Sequence, residues 1–149
     1  YAGAANASTK LAGEVIGIIA GPSPAEVRSG LAAALSFMEN GGHFTSANED
    51  DSIVYYAQTI SRTGTYLAKQ AGIAEGEPLA YLIAPPLEAI YGLDAALKAA
   101  DVQLVQFYAP PSETNFAGGL LTGTQSAVRA ACDAFAQAVQ MIADNPREL

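Results

Sequence analysis

Tyr81-Leu82-Ile83-Ala84-Pro85-Pro86-Leu87-Glu88-Ala89-Ile90-Tyr91-Gly92-Leu93-Asp94-Ala95-Ala96-Leu97-Lys98-Ala99-Ala100-Asp101-Val102-Gln103-Leu104-Val105-Gln106-Phe107-Tyr108 reads as an apolar strand, a helix and a second apolar strand. Two prolines close the run from Tyr81 to Ala84, and proline suits a first helical turn, where its missing N–H would have no intrahelical partner. From Leu87 the apolar residues recur at helical spacing, at Leu87, Ile90, Tyr91 and Leu97, with alanines between them. The helix ends near Ala100, and Val102, Leu104 and Phe107 open the second strand. A strand, a crossover helix and a strand so close together pack as one unit, with the helix covering one sheet face.

Towards the N-terminus, residues 1–13 are small and polar and read as a loop. Residues 14–20 read as a buried strand, and Gly21-Pro22-Ser23-Pro24 turns the chain. Ser23 with Glu26 three residues on makes a capping box, with Pro24 at the first helical position. The helix that follows is expected to bury Val27, Leu31, Ala34, Leu35 and Met38 and to stop at Asn40-Gly41-Gly42. Residues 43–47 read as a short edge strand and residues 48–51 as an acidic turn. Asp50 or Asp51 is expected to cap a helix with Ile53, Tyr56, Ala57, Ile60 and Leu67 on its inner face, ended by Gly72.

Towards the C-terminus, a proline-led polar loop runs from Ala109 to Phe116, Gly118 and Gly119 lead into a strand from Leu120 to Thr122, and a last helix carries a regular stripe of Val128, Ala131, Cys132, Phe135, Val139 and Ile142. Gly119-Leu120-Leu121-Thr122-Gly123, then Ala127, Val128 and Arg129, echoes Gly17-Ile18-Ile19-Ala20-Gly21, then Ala25, Val27 and Arg28. Val128 follows Val27 by 101 positions and Gly123 follows Gly21 by 102, so one strand–turn–helix occurs twice about a domain length apart. The chain opens at Tyr1 rather than at methionine, and it reads as a longer protein's later part. On this reading residues 1–40 are the end of a first copy, incomplete here, and residues 41–149 a second copy. The expected fold is α/β (α+β), with helices packed on a mostly antiparallel sheet.

With 149 residues, half of them hydrophobic and only 15% charged, the chain can bury a sizeable core and is not disordered. A net charge of −8, with seven Lys and Arg spread along the chain, excludes nucleic acid as a partner. No apolar run reaches the length of a membrane span, and no signal peptide is visible. Catalysis is hard to build from one His, one Cys and no Trp. His43 sits beside two glycines and reads as a surface or interface residue, and Cys132 as a packed core thiol. Metal ligands are lacking, because there is no Cys or His pair and residues 48–51 do not have calcium-loop spacing. Gly13, Gly17 and Gly21 match neither a phosphate loop nor the dinucleotide fingerprint. What remains are two loops, residues 1–13 and 109–119, that precede equivalent strands. They are either ordinary surface loops or, in a symmetric ring, loops that converge on its axis.

From Glu88 to Leu104 the chain follows E-x3-G-x-D-x3-K-A-A-x-V-x-L, a pattern similar to the first helix and following strand of the bacterial microcompartment shell domain. Residues 78–91 and Pro110-Pro111-Ser112-Glu113-Thr114-Asn115-Phe116 narrow the likeness, and the whole chain resembles the EutL-type shell proteins of ethanolamine-utilisation compartments. The resemblance implies a circularly permuted shell domain in tandem, a homotrimer that mimics a hexameric tile, and tiles packed edge to edge with other shell proteins around a bacterial microcompartment in the cytoplasm. It implies no catalysis and a gated central pore for small solutes, lined in the second copy by Ser112, Glu113, Thr114, Asn115 and Phe116, with Phe116 as a movable plug. Lys98 stands at the tile-edge lysine's position, tied locally to Asp94. Ethanolamine is the implied ligand of smaller pores, with Glu14 and Phe44 as its candidate contacts, since a protonated amine needs a carboxylate and an aromatic face. Cobalamin is an implied passenger, although no residue run here reads as a cobalamin motif. Two other classes stay open: a small-metabolite-binding regulatory α/β domain, and an enzyme built on His43 or a carboxylate pair.

Overall fold

The computed structural model describes residues 2–6, 15–40, 43–110 and 114–146. It divides into two compact units, Tyr1–Gly42 and His43–Leu149. The first contains β1 (Ala2–Asn6), β2 (Val15–Ile19) and α1 (Pro24–Asn40). β1 and β2 pair antiparallel, with Ala2 opposite Ile19 and Asn6 opposite Val15. The Glu26 N–H donates to Ser23 Oγ at 3.3 Å, so half of the expected capping box is made. Gly30 lets α1 settle on Ile19, whose Cγ2 would lie 3.4 Å from any added Cβ. The expected apolar stripe of α1 is not buried: Val27 is half-buried, Leu31, Ala34 and Leu35 are exposed, and the Met38 side chain is outside the described residues. Within this unit two strands offer α1 only a narrow surface to cover.

The second unit follows the order β3 (Thr45–Ser46), β4 (Val54–Ile60), α2 (Thr65–Ala71), β5 (Leu79–Ala84), α3 (Pro86–Ala99), β6 (Val102–Tyr108), β7 (Ala117–Gly123) and α4 (Gln125–Asp144). Its sheet has the order β3-β4-β5-β7-β6, with every neighbouring pair antiparallel. β7 therefore slots between β5 and β6, the two strands joined by the α3 crossover. β7 also begins at Ala117, three residues before the strand read from sequence.

Alternation along β5 sets the layers. Ala80, Leu82 and Ala84 join Leu121, Leu93, Val128, Phe135 and Val139 in the main core beneath α3 and α4. Leu79 points the other way and meets Leu120 and Ala71 under α2. Leu82, Leu121, Phe135 and Val139 are fully buried, each contributing about 1.5–3 kcal/mol through removal from water. The α4 stripe is buried as expected from Val128 to Val139, with Ala138 added and Ile142 only half-buried. Thr124 caps α4 by accepting from the Ala127 N–H at 3.2 Å.

Residues 2–6, read as part of a loop, form strand β1, and two further local readings are corrected. The helix expected after the acidic turn is strand β4, with α2 starting only at Thr65. Its Val54, Tyr55, Tyr56, Thr59 and Ile60 are β-branched or aromatic, and β5 offers a partner edge with Tyr56 opposite Ile83. Asp50 and Asp51 cap nothing: the Ser52 N–H donates to Asp50 Oδ1 at 3.1 Å within the turn, and Asp51 is left-handed at φ 56°. In α3, the stripe Leu87, Ile90, Tyr91 and Leu97 lies outside, while Ala89, Gly92, Leu93 and Ala96 face the core. Small residues win that face because α4 comes close: a Cβ on Gly92 would lie 2.7 Å from the Phe135 ring.

Candidate pore and assembly surfaces

Pairing places the polar loop. Ala84 ends β5 opposite Ala117, the first residue of β7, so the loop before Ala117 and the start of α3 share one end of the second unit. At that end the Phe116 N–H donates to Thr114 Oγ1 at 3.3 Å, a short turn that leads the chain into β7. The turn gives way to strand at Ala117, and at the next residue, Gly118, a Cβ would overlap the Leu82 carbonyl oxygen, so only glycine admits β5 this closely.

The Phe116 ring rests on Phe44, with centroids 5.4 Å apart and planes at 44°. Phe44 in turn meets Tyr56 at 5.8 Å, and Tyr56 meets Tyr81 edge-on at 5.8 Å. The four rings make a ladder on the sheet face opposite α3 and α4. Burial pushes the Tyr56 and Tyr81 phenols up, with Tyr108, Tyr56 and Tyr66 adding to the effect at Tyr81. The ladder is thus a neutral aromatic surface at ordinary pH. Sequence reasoning had singled out Phe44 and Phe116 for separate roles, and the fold brings them together. It missed Tyr56 and Tyr81, whose signal was their place on facing strands, hidden once β4 was read as helix.

Thr114, Asn115 and Phe116 are described, Thr114 and Asn115 as exposed and Phe116 as half-buried, whereas Ser112, Glu113 and Glu14 lie outside the described residues. Lys98 is exposed on the last turn of α3, where its Nζ meets Asp94 Oδ2 at 2.6 Å, the i,i+4 pair expected from the sequence. His43 is exposed, and Cys132 is buried with its thiol pushed up by desolvation, the Thr59 hydroxyl opposing that shift in part.

Among the described residues no group of three or more His, Cys, Asp and Glu is placed to hold a metal ion, and no helix is long and apolar enough to cross a membrane. A shallow groove beside α3 and α4 is lined by Leu87, Tyr91, Met141 and Ile142 together with Glu49, Asp50 and Glu88. A second, smaller cleft is lined by Glu77, Asp101, Gln103 and Thr122. Neither is lined by His43 or Cys132.

Comparison with known proteins agrees with this geometry. Residues 83–145 match the model of the BMC domain. The bacterial microcompartment shell protein EutL of Clostridium perfringens is 75% identical over 146 residues, covering 98% of this chain and 67% of that protein. EutL of Escherichia coli is 55% identical over 146 residues, with the same coverage of 98% and 67%. Among solved structures, the ethanolamine utilization protein EutL of Leptotrichia buccalis superposes with a TM-score of 0.83 at 71% identity, covering 100% of this chain and 71% of that one. A trimeric bacterial microcompartment shell protein, PduB, shares the fold at 22% identity, with a TM-score of 0.70 over 99% of this chain and 67% of that one. The chain belongs to the EutL family of bacterial microcompartment shell proteins, which are structural proteins rather than enzymes.

Proposed function

We propose that this chain forms a trimeric, pseudohexameric tile in the shell of an ethanolamine-utilisation microcompartment in the bacterial cytoplasm, with a gated pore on the tile's threefold axis. The observation that carries this reading is the repeat. A strand, a short turn and a helix recur as β2–α1 and β7–α4, one in each unit, in a chain 75% identical to a EutL shell protein. Three chains with two equivalent units each give six similar positions around one axis, and a heterologous contact repeated by that rotation closes into a ring.

Residues 109–116, which lead into β7, and the segment 1–13, which contains strand β1, then lie at the axis. Thr114, Asn115 and Phe116, with Ser112 and Glu113 before them, line the path of small polar solutes and of a larger passenger such as cobalamin. Ethanolamine binds beside Glu14 and Phe44 and favours the closed state. Lys98 reaches a neighbouring tile. Further supports are the polar character of the loop and the aromatic surface at Phe44, which suits an ammonium group.

Native mass spectrometry of the purified protein tests the assembly, with negative-stain microscopy at high concentration to look for sheets or tubes. A trimer that forms sheets is expected. A monomer at micromolar concentration would overturn the tile and pore together. Calorimetric titration with ethanolamine tests the ligand, and unchanged affinity in Glu14→Ala and Phe44→Ala would remove those two contacts.

A further inference from the structure

The groove between the start of α3 and the end of α4 has a floor and a rim of opposite character. Leu87 and Tyr91, four apart on α3, supply one side of the floor, and Met141 and Ile142 in the last turn of α4 supply the other. Small residues of α3 take its inner face, which turns Leu87 and Tyr91 outward. Leu87, Tyr91 and Met141 are 79%, 46% and 48% exposed, so the packing of the second unit leaves these large apolar groups in water. At about 1370 Å³ the groove is larger than the pockets of about 300–1,000 Å³ that enclose small molecules.

Glu49, Asp50 and Glu88 stand around this floor, and none of the three is ion-paired among the described residues. Ser52 holds the Asp50 carboxyl below its ordinary value, so that group is charged at neutral pH. Among the described residues that line the groove there is no Lys, Arg or His. A partner gains by bringing cations to the rim and apolar groups to the floor. Hydrogen bonds decide how its backbone can run. In the turn at one wall, the Ser52 N–H donates to Asp50 Oδ1 and the Ile53 N–H to Asn48 Oδ1 at 3.0 Å, while the Ile53 carbonyl accepts from the Ala47 N–H at 2.8 Å. At the end of α4 the Asn145 side chain donates to the Met141 carbonyl at 2.8 Å and its N–H to the Ile142 carbonyl at 3.2 Å. These groups are engaged and offer no ladder to an added strand. Recognition falls to side chains, as it does when a helix lies in a groove.

We propose that this groove docks a cationic amphipathic helix of a different protein, its apolar stripe on Leu87, Tyr91, Met141 and Ile142 and its lysines or arginines against Glu49, Asp50 and Glu88. Long basic side chains suit both parts of the site, since their stems lie along apolar surface while their charged heads reach a rim carboxylate. A small organic cation would meet the rim alone and leave the floor wet. The inference does not rest on the trimer reading, because every residue in it belongs to the second unit of one chain.

Fluorescence anisotropy tests it with a labelled peptide of leucine and lysine, about 18 residues long and patterned to put leucine on one helical face. The wild type is expected to bind this peptide about tenfold more tightly than one of the same composition in scrambled order. Leu87→Ser/Met141→Ser should weaken binding about tenfold, and Glu49→Gln/Glu88→Gln should weaken it and flatten its dependence on salt. Tyr66→Ser, exposed on α2 and outside the groove, should bind as the wild type does. All the altered side chains lie at the surface, and circular dichroism checks that the fold is kept. Equal binding of the ordered and scrambled peptides, or of the ordered peptide by wild type and groove variants, would overturn the inference and leave only the attraction of a cation to a chain of net −8. A groove variant whose native mass falls below that of the wild type would overturn it in favour of a second copy as the occupant. A trimeric wild type that does not bind the ordered peptide would overturn it and leave the tile reading standing. A monomeric wild type that binds the ordered peptide through the groove would sink the tile reading alone.

Discussion

Phe44 and Phe116 stack at 5.4 Å between ring centroids, joining the residue just before β3 to the residue just before β7. One side chain belongs to the proposed ligand contact and the other to the proposed pore loop. Strands β4 and β5 lie between β3 and β7 in the sheet, so the pairing is a product of the tertiary fold. It makes the two proposed roles physically dependent: moving Phe116 away from the sheet would uncover Phe44 and, through it, Tyr56.

A double-mutant cycle on Phe44→Ala and Phe116→Ala measures that dependence. Tilted aromatic pairs contribute about 0.5–1.5 kcal/mol beyond burial, and the two truncations should couple by that amount in urea unfolding. Coupling near zero would mean that the rings touch without supporting one another.

Why some elements were legible and others were not follows from the residues. The α4 stripe was read almost residue for residue, because a helix that packs against both a sheet and another helix must repeat large apolar groups at helical spacing. The prolines before α3 and the glycine after α2 fixed their ends through backbone chemistry alone. β4 was misread because Ile53, Tyr56, Ala57 and Ile60 also satisfy helical spacing, and only the partner edge of β5 decides for strand. In α3 helical spacing reports only where the large apolar groups are. It cannot show that a close neighbour demands small ones, nor that the outer stripe is left exposed. Of the candidate site residues, Lys98–Asp94 was visible as a local pair, whereas the meeting of Phe44 and Phe116 depends on strand order, which no single stretch encodes.

Gly92→Ala should be costly despite the higher helix propensity of alanine. Its Cβ would fall 2.7 Å from Phe135 Cδ2, and Phe135 is fully buried, so the ring has nowhere to retreat. Overpacking of this kind costs about 1–3 kcal/mol. Phe135→Leu in the Gly92→Ala background should recover part of the loss relative to the sum of the single changes, and strict additivity in denaturant unfolding would refute the contact.

The acidic turn gives a pH signature. Ser52, through its side chain and its N–H, holds the Asp50 carboxyl below its ordinary value of 3.8. The folded state therefore favours the ionised form. Its contribution to stability is present above that ordinary value and is lost as pH falls through it towards the lowered folded value. The stability difference between the wild type and Asp50→Ala should shrink on acidification below about pH 4. A difference that grows in acid would reverse the sign and exclude this carboxylate as the cause.

Cys132 reports on unfolding. Its thiol is buried beneath the sheet and pushed up by desolvation, so little thiolate is available and little reagent can reach it. Labelling by a disulfide reagent at pH 8 should be slower than for a free thiol by about a thousandfold, and should accelerate in step with global unfolding. Labelling at the free-thiol rate in native buffer would place the sulfur at the surface.

Lys98 separates a local role from an assembly role. The pair with Asp94 is solvent-exposed at 2.6 Å on one helix face, and such i,i+4 pairs contribute only about 0.3–0.5 kcal/mol. Lys98→Ala should therefore leave thermal unfolding nearly unchanged and leave the proposed trimer intact. If the side chain reaches a neighbouring tile, its loss should abolish the sheets seen by electron microscopy. Loss of charge alone can be set apart with Lys98→Arg, which keeps the cation but changes its reach and donor geometry. Sheets that form equally well from Lys98→Ala and wild type would reduce this residue to its bond with Asp94.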